Sequence, residues 1–267
     1  MDILSYTFMQ RALLAGILIG SLCALIGTYV VLKGMSFMGA GISHAAFGGV
    51  ALGFLLNIDP VLSSIFFCVA SGLGIAFLSK KIRIKEDTTI GIFFASTMAF
   101  GIMVFGFLKG VNIDLFGYLF GNILAVTLND LYLTLIVEGI VLFFILFYYK
   151  ELMMLVLDQE MAEVSGIPVS RIYFLLVVFM SLVIVISIKV VGIVLVSALL
   201  IIPSAAALQM TENFKIALIT AVLFGILSSV GGLFLSYSFD TPSGATIVLL
   251  ATAIFLISSI FRHQKRG

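Results

Sequence analysis

Charged residues are scarce in this 267-residue chain, where 10% of residues are Asp, Glu, Lys or Arg and 62% are hydrophobic. A soluble globular domain is typically about 45–50% apolar, so this composition excludes one. Because a bilayer core of about 30 Å needs about 20 apolar residues per helix, a chain of this length can hold about eight to ten spans. We therefore predict an all-α, polytopic membrane protein whose residues 1–267 form a single transmembrane domain.

Several signatures of catalysis are missing. There is no G-x-x-x-x-G-K-[ST] phosphate-binding loop, so the chain cannot hydrolyse ATP by that route. There is also no H-E-x-x-H zinc motif, and the two histidines are His44 and His263. Ser43 adjoins His44, but successive residues on a helix do not face each other, which disfavours a serine protease.

The cysteines, the net charge and the amino terminus suggest no further chemical function. Cys23 and Cys68 lie inside apolar runs without metal-type spacing and are expected to be buried apolar side chains. A net charge of +1 gives no reason to expect nucleic-acid binding. The amino terminus lacks a basic region followed by a cleavage site, so we expect it to enter the first span directly.

The hydropathy predicts about eight to nine spans, and the apolar-run rule places nine of them as follows: Leu13–Val31, Met38–Leu56, Val61–Leu78, Thr89–Leu108, Asp130–Tyr149, Ile172–Ile188, Val190–Leu208, Phe214–Leu235 and Ala245–Phe261. The densest basic cluster, within residues 80–85, indicates a cytoplasmic connection and hence an external amino terminus. Residues 112–128 are too interrupted for a span and predict a re-entrant or interfacial segment. Gly192 and Pro203 favour a bent or broken helix within 190–208.

An ionisable side chain, His44, lies inside the glycine-rich second span, in Gly39–Gly53. Helical spacing puts Gly41, Ala45, Gly49 and Gly53 on one stripe beside it, so other helices can approach this face closely. Ionisable residues at membrane depth usually line pathways, and a neutral imidazole can meet a metal ion or a proton. The alternative is that His44 only hydrogen-bonds a neighbouring helix.

Glu138 is a second ionisable group at membrane depth, near the middle of the predicted span Asp130–Tyr149. It must be paired, protonated or directed at a cavity. We therefore treat it as either a pathway residue or a structural one.

The longest polar interruption, Glu151–Arg171, contains a predicted short helix. Asp158 is placed to cap it, acids occupy its first turns, and Gly166 followed by Pro168 ends it. Such a cytoplasmic helix can dock a soluble partner or can be a connector lying on the membrane surface.

Several stretches together resemble the membrane permeases of ATP-binding-cassette importers for zinc, manganese and iron(II). They are the histidine–alanine core of Gly39–Gly53, FGYLFGNIL within Asp114–Leu128, Asp158–Gly166, VGIVLVSALLIIPSAAA (Val191–Ala207) and SYSFDTPSGATIVL (Ser236–Leu249). The resemblance implies a homodimer in the cell membrane of a prokaryote, two cytoplasmic ATP-binding subunits and an extracytoplasmic metal-binding protein. It also implies that His44 lies on the ion path. It further implies a coupling helix with five contact residues: Asp158, Glu160, Ala162, Glu163 and Gly166.

Relatives often carry an aspartate four residues before this histidine, where this chain has Ala40. Because a lone imidazole suits Zn²⁺ better than Mn²⁺ by ligand softness, we expect zinc as the transported ion, with no permanently bound cofactor. The alternatives are a manganese or iron(II) permease of the same family, or a proton-coupled secondary transporter that uses His44 and Glu138. The sequence shows no inverted internal repeat that would favour the secondary transporter.

Overall fold

The computed structural model describes residues 6–81, 85–108 and 121–266, and in this part of the chain every long element is an α-helix. Nine of the described helices are long and apolar enough to cross a membrane, as the hydropathy predicts. They are α1 (Thr7–Leu32), α2 (Ser36–Leu56), α3 (Pro60–Lys81), α4 (Glu86–Phe107), α5 (Leu128–Phe147), α8 (Val169–Val191), α9 (Ile193–Met210), α10 (Phe214–Phe239) and α11 (Ser243–Arg266).

Two shorter helices, α6 (Tyr149–Leu157) and α7 (Gln159–Val164), form the connection between α5 and α8. The predicted re-entrant segment 112–128 lies mostly outside the described residues. Its described end contains a single 3₁₀ turn, Ile123–Ala125.

The break predicted around residues 190–208 falls at Gly192 and not at Pro203. Gly192 has φ +82° between the end of α8 and the start of α9, a conformation that L side chains rarely adopt. The helix then runs from Ile193 to Met210 with Pro203 inside it. The glycine therefore separates two consecutive spans, and the proline is accommodated within the second.

The spans pack in two groups around α1 and α8, the most enclosed of the nine described spans. In one group α2 packs against α3 and α4. In the other group α1 packs against α9 and α10, and α11 covers these two. Because α8 contacts α2, α3 and α5 as well as α1, it joins the groups.

Glycines let α1 meet its neighbours at backbone contact. A Cβ atom added to Gly20 would lie 2.6 Å from the Gly225 carbonyl oxygen in α10, and one added to Gly27 would lie 1.8 Å from the Leu200 carbonyl oxygen in α9. Such small-residue contacts are how helices associate tightly inside a bilayer. The packing of α1 on α9 and α10 therefore tolerates no side chain at these two positions.

Ionic and polar contacts join the helices at their two ends. At the end opposite the basic cluster, the Lys189 ammonium in α8 lies 2.7 Å from the Asp130 carboxylate in the first turn of α5. At the basic-cluster end, the Lys80 ammonium lies 4.4 Å from the centre of the Tyr173 ring. The first contact joins α5 to α8 at one end of the bundle, and the second joins α3 to α8 at the other end.

Candidate functional site

The His44 imidazole lies half-buried between α2 and α4. Its Nδ1 lies 3.0 Å from the carbonyl oxygen of Ala40, one turn earlier on the same helix. Because a carbonyl oxygen only accepts, Nδ1 donates, and the neutral ring carries its lone pair on Nε2. The imidazole is therefore oriented with its metal- or proton-binding nitrogen away from its own helix.

An aromatic ring completes the surroundings of His44. The Phe94 ring of α4 lies 4.5 Å from the imidazole, centre to centre, at an interplanar angle of 53°. The neighbouring Ser43 is fully buried and points elsewhere, since its hydroxyl donates to the Gly39 carbonyl and lies 3.4 Å from the Ser197 hydroxyl of α9. The two side chains diverge, which is consistent with the expectation that they form no catalytic pair.

The small-residue face predicted around His44 is used for close packing. A Cβ atom at Gly49 would lie 2.6 Å from the Ser64 Cα in α3, and one at Gly48 would lie 2.9 Å from the Thr97 carbonyl oxygen in α4. The glycines thus bring α3 and α4 against α2 on both sides of the histidine.

Glu138 lies in a different part of the bundle from His44. The Ser21 hydroxyl of α1 donates to one Glu138 carboxyl oxygen at 2.7 Å, and the other oxygen is buried without a hydrogen-bond partner among the described residues. Glu138 belongs to α5, which packs on α1 and α8, whereas His44 belongs to α2, which packs chiefly on α3 and α4. This separation gives no support to a relay of protons between the two.

The predicted short helix is present as α7. The Asp158 carboxylate caps it by accepting a hydrogen bond from the Met161 backbone N–H at 2.9 Å, and Gly166 follows it with φ +79°. Both features agree with the sequence-based expectation.

The surface of α7 combines acids with apolar side chains. Asp158, Glu160, Glu163 and Gly166 are exposed, but Ala162 has an exposed fraction of 0% and packs on the core. An exposed apolar patch that the sequence pattern did not indicate begins at the last residue of α6 and continues on α7: Leu157, Met161 and Val164 have exposed fractions of 60%, 57% and 85%. None of the three belongs to a membrane-spanning helix. We call these three residues the α7 patch.

Two hydrogen bonds join α7 to the turn between α1 and α2. The Lys33 ammonium, in the turn between α1 and α2, donates to the Gln159 side-chain oxygen, and the Gln159 amide donates to Glu163 at 3.2 Å. Burial lowers the pKa of Lys33. These two hydrogen bonds connect α7 to the turn between α1 and α2.

The described residues hold no group of three or more His, Cys, Asp or Glu side chains able to enclose a metal ion. The His44 imidazole packs against Phe94 of the neighbouring helix α4. The arrangement fits brief coordination of a passing ion, since a pathway must release what it binds.

Nine helices long and apolar enough to cross a membrane, in the part of the chain that the structure describes, define a polytopic membrane protein. The chain matches the family described as "ABC 3 transport family" over residues 5–262. It belongs to this family, and it is a multi-pass permease of the cell membrane.

Similar proteins cover nearly the whole chain. The manganese transport system membrane protein MntC of Halalkalibacterium halodurans is 39% identical over 264 residues, which are 99% of this chain and 90% of that protein. The chelated iron transport system membrane protein YfeD of Yersinia pestis is 37% identical over 98% of this chain and 88% of its own length. The solved structure of PsaBC from Streptococcus pneumoniae in complex with Fab has a TM-score of 0.86 and 38% identity, covering 96% of this chain and 92% of that one.

Proposed function

We propose that this chain is the permease through which an ATP-driven importer moves a divalent transition-metal ion, with manganese or iron(II) as the cargo. The observation that carries this proposal is the similarity along 99% of the chain to a manganese transport membrane protein. A chelated-iron transport protein is similar over 98% of the chain. Neither of these two relatives is named for zinc. The whole-chain likeness therefore outweighs the expectation of zinc that rested on one imidazole.

His44 is the pathway residue of this proposal. Its ring is held by the Ala40 carbonyl so that Nε2 remains available, and it stands beside Phe94 at membrane depth. A single ring from each of two copies in a homodimer would give the weak coordination that transport requires.

The α7 patch and the exposed acids beside it are the proposed docking surface for a separate ATP-binding subunit. Exposed apolar side chains outside the membrane-spanning helices favour a protein partner, because apolar anchors supply most of the energy at interfaces. The buried Ala162 would anchor α7 to the bundle, and the Lys33–Gln159 contact would pass its movement to α2. ATP hydrolysis is assigned to the partner because the sequence has no phosphate-binding loop.

The test is uptake of radioactive Mn²⁺, Fe²⁺ and Zn²⁺ by cells that lack their own copy of the permease and express the wild-type chain or His44→Ala. We expect wild-type uptake of Mn²⁺ or Fe²⁺ that requires the ATP-binding subunit and the extracytoplasmic binding protein. His44→Ala should abolish uptake while the protein still inserts and still co-purifies with the ATPase, because alanine fits the small-residue face. Uptake without any ATPase would refute the ATP-driven permease, and normal uptake by His44→Ala would refute the pathway role of His44.

A further inference from the structure

The two acids inside α7 lie on different sides of this helix. At about 100° per residue, Glu160 stands about 40° from Val164 and so lies beside the α7 patch. Glu163 stands about 160° from Met161, on the opposite side of the helix. It shares that side with Gln159, one turn earlier, whose amide donates to the Glu163 carboxylate at 3.2 Å. Glu163 therefore lies away from the α7 patch.

The side of α7 that carries Glu163 faces basic groups of the permease itself. The Lys33 ammonium, in the turn between α1 and α2, donates to the Gln159 side-chain oxygen. The Glu163 carboxylate attracts this ammonium and also the ammonium of Lys80, in the last turn of α3. Glu160 has no ion-pair or hydrogen-bond partner among the described residues. Of the two acids, Glu163 is therefore the one that interacts with the membrane-spanning part of the chain.

The same two lysines also interact with the start of α4. Glu86, the first residue of α4, attracts both ammonium groups and accepts a hydrogen bond of 3.5 Å from the Tyr173 hydroxyl of α8. The Lys80 ammonium lies over the ring of the same tyrosine. The lysine pair thus interacts with an acid of α7 and with an acid of α4. Helix α4 also carries the Phe94 ring that packs on the His44 imidazole.

We infer that Glu163 is a positioning residue through which α7 sets the placement of α4 and of the turn between α1 and α2, while the ATP-binding subunit holds α7 by its other side. The inference rests on the proposed function and adds to it the route by which movement of α7 reaches the helices around His44. The contacts are partly exposed, so each one contributes little free energy. A small contribution is enough to bias a conformational equilibrium, because the populations follow the difference in interaction between the two states.

The experiment reconstitutes the full importer with the wild-type permease, Glu163→Gln, Lys33→Met, or both changes together. It measures the Kd of the ATP-binding subunit for each permease. It also measures how many Mn²⁺ or Fe²⁺ ions, whichever the wild type carries, are taken up per ATP hydrolysed. Glu160→Gln is the matched contrast, because it removes the same charge from the same short helix on the side of the α7 patch.

We expect Glu163→Gln and Lys33→Met each to lower the number of ions per ATP by about two- to fivefold, with the Kd within about twofold of wild type. The double variant should lose less than the product of the two single losses, because both changes break one interaction. Glu160→Gln should instead raise the Kd and leave the number of ions per ATP unchanged.

Four results would each overturn the inference. They are an unchanged number of ions per ATP in Glu163→Gln, a raised Kd as its only effect, an equal loss of ions per ATP in Glu160→Gln, and a double-variant loss equal to the product of the single losses. All four leave the proposed function intact. The proposed function fails instead if the wild-type importer takes up neither Mn²⁺ nor Fe²⁺, or takes them up without ATP.

Discussion

Truncating Val164, the most exposed member of the α7 patch, should weaken the complex with the ATP-binding subunit. Val164→Ala removes two methyl groups, and a buried methylene-sized group contributes about 0.8 kcal/mol. Val164 is 85% exposed in the free permease, so docking can bury nearly all of its side chain. Val164→Ala should therefore reduce the binding free energy by about 1.4 kcal/mol for each α7 that docks. That corresponds to about a tenfold rise in Kd.

The assay is direct binding of the purified ATP-binding subunit to the permease in detergent, followed by ATPase activity of the complex. Alanine favours the helical conformation, so α7 should still form in Val164→Ala. Val194→Ala is the matched control, since it deletes the same atoms from an exposed valine of α9. A Kd within twofold of wild type for Val164→Ala, with Val164→Asp also binding normally, would show that the α7 patch does not dock the ATPase.

Three further outcomes are expected. Glu138→Gln should leave uptake unchanged between pH 6 and 8, because glutamine can still accept the Ser21 hydrogen bond; a loss of uptake measured across that range would assign Glu138 to ion movement. Gly27→Ala should lower the thermal stability of the purified permease, because its Cβ would meet the Leu200 carbonyl at 1.8 Å, and an unchanged melting temperature would contradict the described packing. Gly166→Val should reduce metal-stimulated ATPase activity with insertion preserved, because φ +79° is strained for valine, and normal coupling in a reconstituted importer would count against this turn.

The helices themselves follow from sequence, because membrane thickness sets the length of each apolar run. The nine predicted spans correspond to the nine described ones, and the cap at Asp158 and the turn at Gly166 follow from local chemistry. Which side chains meet across the bundle could not be predicted. A membrane helix is apolar on nearly every face, so its hydrophobic pattern does not show which face packs inward.

The same limit explains what was missed around the candidate site. The pairing of His44 with Phe94 joins residues on different helices, and no local pattern indicates it. Ala162 was predicted as a contact residue from the resemblance, yet it faces the core, and the exposure of Val164 depends on the way α7 rests on the bundle. Such facts depend on tertiary packing.

The glycine contacts of α1 have a consequence for biosynthesis. Helix α1 leaves the ribosome before α9 and α10, and its backbone partner at Gly225 is made about 200 residues later. Until α9 and α10 have entered the membrane, the glycine face of α1 lacks the two helices it fits and remains open to lipid or to other nascent helices. Contacts so distant in sequence form late. We therefore expect chains truncated before α10 to be inserted but degraded rapidly, with stable accumulation beginning only when residue 239 has been included.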